Sequence, residues 1–514
     1  MSLIRAQVLY SVFTAGMTIL FVEIAGVRFL APYFGSSLYV WSALISVTLL
    51  SIAFGAWWGG RLADRKPGVV TLVVLWFCAA VGMGVIPPLR AWVVPFTEPL
   101  DLRIGVFVTA MVLYFIPLAV LSAIPPLAVK LTDPSRDLLG STVGFLSAMG
   151  TAGSFAGSMI TGFVLVPNFS MTRLFQGFSM ILVLSGLFCA WRIGKKATLS
   201  VGVLLWAGAL FLFGGGAREG YAVLAGQTVT LAVQRNSLYG HLKVADMGRF
   251  RMLLMDGIMQ GGMLWPEGRT LYPYAGYMES LACASVPKAK KVLVVGLGAG
   301  LIPTWFERRG FDVEAVEINP QMVELARGWF GLRVPPVVVH VDDGRRFIRG
   351  VKDGTYDLVL LDAFNGEEIP YHLLTEEAFR DVRRVLRPGG AFLINYVSYR
   401  EKERTRMTAT LVNCLRTSFP EVDLLATGRP NMLNNLILVA TSEPRRLAPV
   451  PPVETGADET MTLDAILKDR IVLAEPYPVR LTDEYAPLEW LDRKVRYAWR
   501  REMLAYFGSV MKGI

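Results

Sequence analysis

Apolar runs separated by short charged clusters fill the chain from Gln7 to Phe213. A bilayer crossing takes roughly 20 mostly apolar residues. Seven stretches come near that length: 7–30, 41–60, 69–89, 104–128, 140–166, 172–191 and 198–214. The pattern therefore predicts a multispan helical membrane domain over 1–216. Beyond Arg218 it changes. TVTLAV, YGHLKVAD and RFRMLLMDG read as strands and a hairpin within 226–262, followed by a helix around 268–285. VLVVG at 292–296 is a continuous apolar run of the kind buried in parallel sheets. VEAVEI ends at Glu317, PVVVHVDD at Asp343 and YDLVLLDAF just after Asp362; a helix over 376–387, a Pro-Gly-Gly turn and the strand AFLINYV follow. Strands alternating with helices predict a doubly wound parallel sheet over 217–442. The Pro-rich stretch 443–453 reads as a linker, and 443–514 as a C-terminal extension ending in a helix near 486–508 that packs on the soluble domain.

Composition agrees with a split chain. Of 514 residues, 53% are hydrophobic and only 18% charged, against about 25% in ordinary soluble proteins. The net charge of +9 fits basic loops flanking membrane spans. No basic stripe with interleaved aromatics points to nucleic acid. Cys78, Cys189, Cys283 and Cys414 match neither a metal site nor a disulfide framework. The first span lacks the short apolar core and cleavage site of a signal peptide and is read as retained.

Within the membrane half, Gly144, Ser147, Gly150, Gly153, Gly157 and Gly162 space small side chains for close helix approach. Glu23 lies in the first span, where a carboxylate needs a partner or a cavity. Pro117, Pro125 and Pro126 break the fourth. Arg61, Arg65, Lys66, Lys130, Arg136, Arg192, Lys195 and Lys196 place their loops, and the N-terminus, in the cytoplasm. A seventh span would then put the soluble half outside. A cytosolic adenosine cofactor would require it inside, and the cytoplasmic side is favoured.

Ligands bind doubly wound sheets at the carboxyl ends of the strands, where the acidic residues of this chain recur. Gly296, Gly298 and Gly300 permit a tight turn against a ligand. Glu317 stands 21 residues past the first glycine, the spacing of a ribose-binding acid. Asp343 can accept a hydrogen bond from an adenine amino group. Asp362, after a buried strand, is the leading catalytic candidate.

MLLMDGIMQ, YMESLA, VLVVGLGAG, VEINP, DDGRRF and YDLVLLDAF together resemble the spermidine synthase family, whose core is that of class I methyltransferases. DAFNGEEIPYHLLTEEAF and RLTDEYAPLEWL, beside a multispan N-terminal domain, resemble its bacterial membrane-fused members. The resemblance implies an N-terminal β-hairpin region before a class I methyltransferase-like domain. It implies decarboxylated S-adenosylmethionine or S-adenosylmethionine as co-substrate, methylthioadenosine or S-adenosylhomocysteine as product, and no metal. It assigns Gln260 and Gly344 to the nucleoside site with the three glycines, Glu317 and Asp343, and makes Asp362 the first aspartate of the catalytic Asp-x-x-Asp motif.

The departures bear on the acceptor. Ala299 stands where the soluble enzymes carry aspartate in the glycine motif, and Asn365 replaces the second catalytic aspartate. The polyamine-binding Tyr-Gln reads Tyr239-Gly240, and the acidic pair before Tyr-x-Glu reads Pro273-Tyr274. These changes argue against classical putrescine aminopropylation. His372, Glu367 and Glu368 are candidate replacements on the loop after Asp362, with Glu279, Asp483 and Glu484 in reserve. The expected protein is a membrane-bound transferase that alkylates an amine or lipid-like acceptor. Its expected partners are the bilayer and that acceptor, with a homodimer admitted, and its expected location is the bacterial inner membrane. A non-catalytic polyamine- or nucleoside-binding transporter or sensor is the alternative. A dinucleotide-dependent oxidoreductase is permitted by the glycine spacing alone.

Overall fold

The computed structural model describes residues 3–35, 38–132, 138–191, 221–224, 227–366, 368–399, 406–428, 433–444, 447–455, 459–472 and 479–513. They divide into two compact units, 1–217 and 218–514.

The first unit is helical. Among the described residues, six helices are long and apolar enough to cross a membrane: Ile4–Phe34, Leu38–Arg65, Val69–Thr97, Leu102–Thr132, Leu139–Asn168 and Met171–Ala190. The expected seventh span, 198–214, lies outside the described residues. The fourth helix is interrupted after Ser122 and resumes at Ile124; Pro125 and Pro126 follow, and neither supplies a backbone donor. The fifth passes through a π-turn at Thr161–Leu165. Its small residues divide into two sets. A Cβ on Gly153 would lie 2.0 Å from the carbonyl oxygen of Phe13, and one on Gly157 2.3 Å from that of Met17. Those two glycines bring the first and fifth helices into backbone contact. Gly144 and Gly162 face open space. Glu23 is half-buried and has no ion pair among the described residues.

The second unit opens with an antiparallel sheet, β1 to β6 in sequence order: Tyr221–Leu224, Gln227–Asn236, His241–Met247, Phe250–Met255, Ile258–Leu264 and Arg269–Thr270. The last of these occupies the start of the expected 268–285 helix, which instead runs from Pro273 to Ser285 with proline in its first turn, where a missing N–H costs nothing.

The central sheet has seven strands. They are β7 (Lys291–Val295), β8 (Asp312–Glu317), β9 (Val338–Val341), β10 (Tyr356–Leu361), β11 (Leu386–Tyr399), β12 (Glu421–Ala426) and β13 (Leu433–Thr441), in the order β12-β13-β11-β10-β7-β8-β9. The parallel expectation holds for β9-β8-β7-β10-β11. It fails at β13, which is antiparallel to both neighbours. The sheet is therefore mixed, and β13 returns beside β11 without a crossover. The Pro-Gly-Gly segment lies inside β11, where it shifts the register against β10. Val292 to Val295 are all buried, because helices cover both faces of this strand. The C-terminal helix is in two pieces, Leu488–Leu491 and Arg493–Gly513.

Candidate active site

A cavity of about 630 Å³ opens at the carboxyl ends of β7, β8, β9 and β10. It is lined by Gln260, Gly296, Gly298, Glu317, Asp343, Gly344, Asp362 and His372, so eight of the ten residues expected from the sequence meet there. Gly300 is not in the lining. It caps the helix Leu301–Arg308 in the left-handed conformation, φ 74°. Glu367 lies outside the described residues.

The glycines act through backbone approach. Gly296 has φ +91°, and a Cβ there would lie 2.3 Å from the carbonyl oxygen of Asp362; a Cβ on Gly298 would lie 2.6 Å from that of Gln260. Only glycine fits where two strand ends and a hairpin converge this closely. Gln260 is held by donating from Nε2 to the Gly366 carbonyl, 3.2 Å.

Glu317 is 8% exposed. Its Oε2 accepts from the Leu297 N–H at 3.0 Å and its Oε1 from the Asn319 N–H at 2.9 Å. Burial pushes its carboxyl up, and these N–H groups offset part of that rise. Each oxygen keeps a further lone pair for a ligand hydroxyl. Glu317→Gln replaces one acceptor with a donor facing a backbone N–H. We expect it to weaken nucleoside binding by about tenfold or more, read as methylthioadenosine affinity by calorimetry.

Asp343 caps the helix Gly344–Gly350, accepting from the Arg346 N–H at 2.9 Å, and meets His372 Nε2 at 2.8 Å. Burial raises its carboxyl, but those hydrogen bonds outweigh burial and hold it below the usual carboxylate range. His372 is thus bound to Asp343 and not to Asp362, which places it at the β9 end of the pocket.

Asp362 is deep in the cavity. Asn395 Nδ2 donates to its Oδ1 at 2.7 Å and the Tyr274 hydroxyl to its Oδ2 at 3.1 Å. Asn435 Nδ2 in turn donates to Asn395 Oδ1 at 2.9 Å, fixing the amide's orientation. Burial raises the Asp362 carboxyl, with Asn395 and Tyr274 acting in the opposite sense. Tyr274, a departure from the family's acidic pair, is therefore a partner of the catalytic candidate. Its own proton is held tightly, because burial and then the Asp362 charge push its hydroxyl well above the tyrosine range.

Several lining residues escape sequence reasoning. Asn395 and Asn435 come from β11 and β13, and Trp499, Glu502 and Met503 from the C-terminal helix. Arg345 does not line this cavity but holds its rim. It is 4% exposed, and donates to Asp381 at 2.7 Å, the His372 carbonyl at 2.7 Å, Thr375 at 3.2 Å and Asp483 at 3.3 Å. The family strings DDGRRF and RLTDEYAPLEWL are thus physically joined. Glu279 is buried in the helix Pro273–Ser285 and does not reach the cavity, nor do Glu368, Asp483 and Glu484.

Five carboxylates line the cavity: Glu317, Asp342, Asp343, Asp362 and Glu502. Lysine and arginine are absent from the lining among the described residues. Methionines 255, 259, 322 and 503 supply polarizable apolar walls. Such a site suits a ligand that is cationic and partly apolar. No group of three or more metal-ligating side chains occurs among the described residues.

Residues 293–394 match the model of a methyltransferase domain. The chain is 30% identical over 182 residues to the polyamine aminopropyltransferase of Vibrio vulnificus (strain CMCP6), covering 33% of this chain and 60% of that one. It is 31% identical over 147 residues to spermidine synthase 1 of Hyoscyamus niger, covering 27% of this chain and 45% of the other. The chain thus spans about half the length of these curated relatives. A solved structure of a probable spermidine synthase from Corynebacterium glutamicum aligns over 54% of this chain and 93% of its own, at 18% identity and a TM-score of 0.37.

Proposed function

We propose that this chain, whose second unit is similar to polyamine aminopropyltransferases and spermidine synthases, is a membrane-bound transferase that moves an alkyl group from a sulfonium nucleoside to an amine. The observation that carries the reading is the cavity's lining: five carboxylates and, among the described residues, no lysine or arginine. A sulfonium and an ammonium are both cations, and an acidic lining favours both.

Glu317 takes the ribose hydroxyls, and Asp343, steadied by His372, takes the adenine end. Gly296, Gly298, Gly344 and Gln260 shape the wall between. The acceptor nitrogen, once neutral, attacks the methylene carbon attached to sulfur. A C–N bond forms, the C–S bond breaks, and its electron pair goes to sulfur, leaving neutral methylthioadenosine. Asp362 accepts the proton that the nitrogen sheds. Methyl transfer would follow the same electron flow and leave S-adenosylhomocysteine. Aminopropyl transfer is the reading favoured by the relatives' names.

The six apolar helices and their basic flanks support a multispan position in a bacterial inner membrane. A sulfonium nucleoside made in the cytoplasm favours that side for the second unit, against the seven-span count. The test is incubation of the detergent-solubilised chain with labelled decarboxylated S-adenosylmethionine or S-adenosylmethionine, with polyamines and membrane lipids as acceptors. Label should appear in an amine from the decarboxylated donor. Absence of transfer from either donor to any acceptor, with ligand-dependent flux in proteoliposomes, would establish the transporter or sensor reading instead.

A further inference from the structure

The acceptor end of the cavity lacks the acids that the family resemblance leads one to expect at positions 273, 274 and 365. A carboxylate nevertheless faces it from elsewhere. The helix Arg493–Gly513 presents Trp499, Glu502 and Met503 to the cavity, three side chains spaced i, i+3 and i+4 on one face. That helix is anchored. Arg496, one turn before Trp499, is buried and ion-paired with Glu368 on the loop after Asp362. The Trp499 ring meets Phe364 edge-on at 5.8 Å. Met503 packs on Val229, Ala245, Met252 and Leu254 of the antiparallel sheet. Glu502 itself has no hydrogen bond or ion pair among the described residues, and burial alone pushes its carboxyl up. Glu502 lines the cavity from an otherwise exposed position with no cation beside it among the described residues, whereas Asp362 is already engaged by Asn395 and Tyr274.

We propose that Glu502 binds the far ammonium of a di- or polyamine acceptor, so that the C-terminal helix supplies the carboxylate missing from the usual positions. Trp499 adds an aromatic face for that cation, and Phe364 and Met503 cover the methylene chain. The reacting nitrogen then lies toward Asp362, where it must be neutral, and the charged end toward Glu502. Glu502 is a specificity residue and takes no part in bond making. This inference rests on the amine-transfer reading above, and the experiment separates the two.

The full chain in detergent is assayed with labelled decarboxylated S-adenosylmethionine and two probe acceptors, 1,4-diaminobutane and n-butylamine. Glu502→Gln should raise KM for the diamine about tenfold, with its effect on kcat within about twofold. KM for the monoamine, which has no far charge, should be the same in both proteins. Glu502→Asp should recover part of the diamine affinity. An equal change for both amines, or a loss confined to kcat, overturns the proposal. If the unmodified protein transfers nothing, equilibrium dialysis of labelled 1,4-diaminobutane against methylthioadenosine-loaded protein still decides. Binding lost only in Glu502→Gln supports the ammonium site while sinking transfer. Equal binding, or none, in both proteins sinks the ammonium site.

Discussion

Asp362→Asn should lower alkyl transfer by about 10²–10⁴-fold, the usual contribution of a positioned general base, while methylthioadenosine affinity stays close to wild type. The substitution is isosteric, and the groups proposed to hold the nucleoside, Glu317 and Asp343, have their own partners. The amide cannot accept the nitrogen's proton. The pH profile supplies an independent check. Burial raises the Asp362 carboxyl above its ordinary value, and the base form exists only above that raised value. Activity should therefore fall as pH drops through it. Asn395→Ala removes a donor that stabilises the carboxylate, so the carboxyl rises further and the acid limb of kcat/KM moves to higher pH. A downward move, or an acid limb unaltered in Asn395→Ala, would remove Asp362 from the role of base.

Arg345→Ala should destabilise the soluble unit by about 3 kcal/mol, the order found when one partner of a buried charged network is deleted. The guanidinium is almost fully buried and ties four segments together: its own helix, the 371–375 loop, Asp381 and the C-terminal Asp483. Arg349 also reaches Asp381 and Asp483, but its side chain is 57% exposed, so it replaces little of what is lost. Arg345→Lys should recover only part, because an ammonium lacks the planar fork that serves these acceptors at once. Denaturant midpoints of the full chain in detergent, followed with methylthioadenosine absent, measure this. A midpoint change below the experimental scatter would mean that Arg345 is structurally idle.

That Gly296, Glu317, Asp343 and Asp362 line one cavity was legible because the signal is local. Each of Gly296, Glu317, Asp343 and Asp362 stands at or within two residues of the carboxyl end of a strand, and a parallel sheet brings consecutive strand ends to one edge. The acceptor side was not legible. Asn395 sits mid-strand in a run that reads as plain core, and its role depends on Asn435 from an antiparallel neighbour that no crossover signal announced. Trp499 and Glu502 are 137 and 140 residues beyond Asp362, in a helix whose basic, aromatic pattern reads equally well as surface. Tyr274 was visible only as a lost acid, since no sequence pattern says that a tyrosine at helix N-terminal position two will donate to a carboxylate 88 residues on. In the first unit, six of the seven expected long helices followed from length and apolarity, the seventh lying outside the described residues. Which glycines make backbone contact did not, because Gly144 and Gly153 belong to the same run and differ only in which neighbour stands opposite.

Glu317 has both carboxylate oxygens fastened to backbone N–H groups of its own fold. Its orientation is thus set when the chain folds, and a nucleoside arriving at the cavity finds the acid already aimed. Nothing at that end must be reordered on arrival, so the entropy of fixing this side chain does not weigh against affinity. Association of methylthioadenosine should accordingly be a single concentration-dependent phase, linear up to saturation of the instrument, without the plateau that a preceding rearrangement would impose.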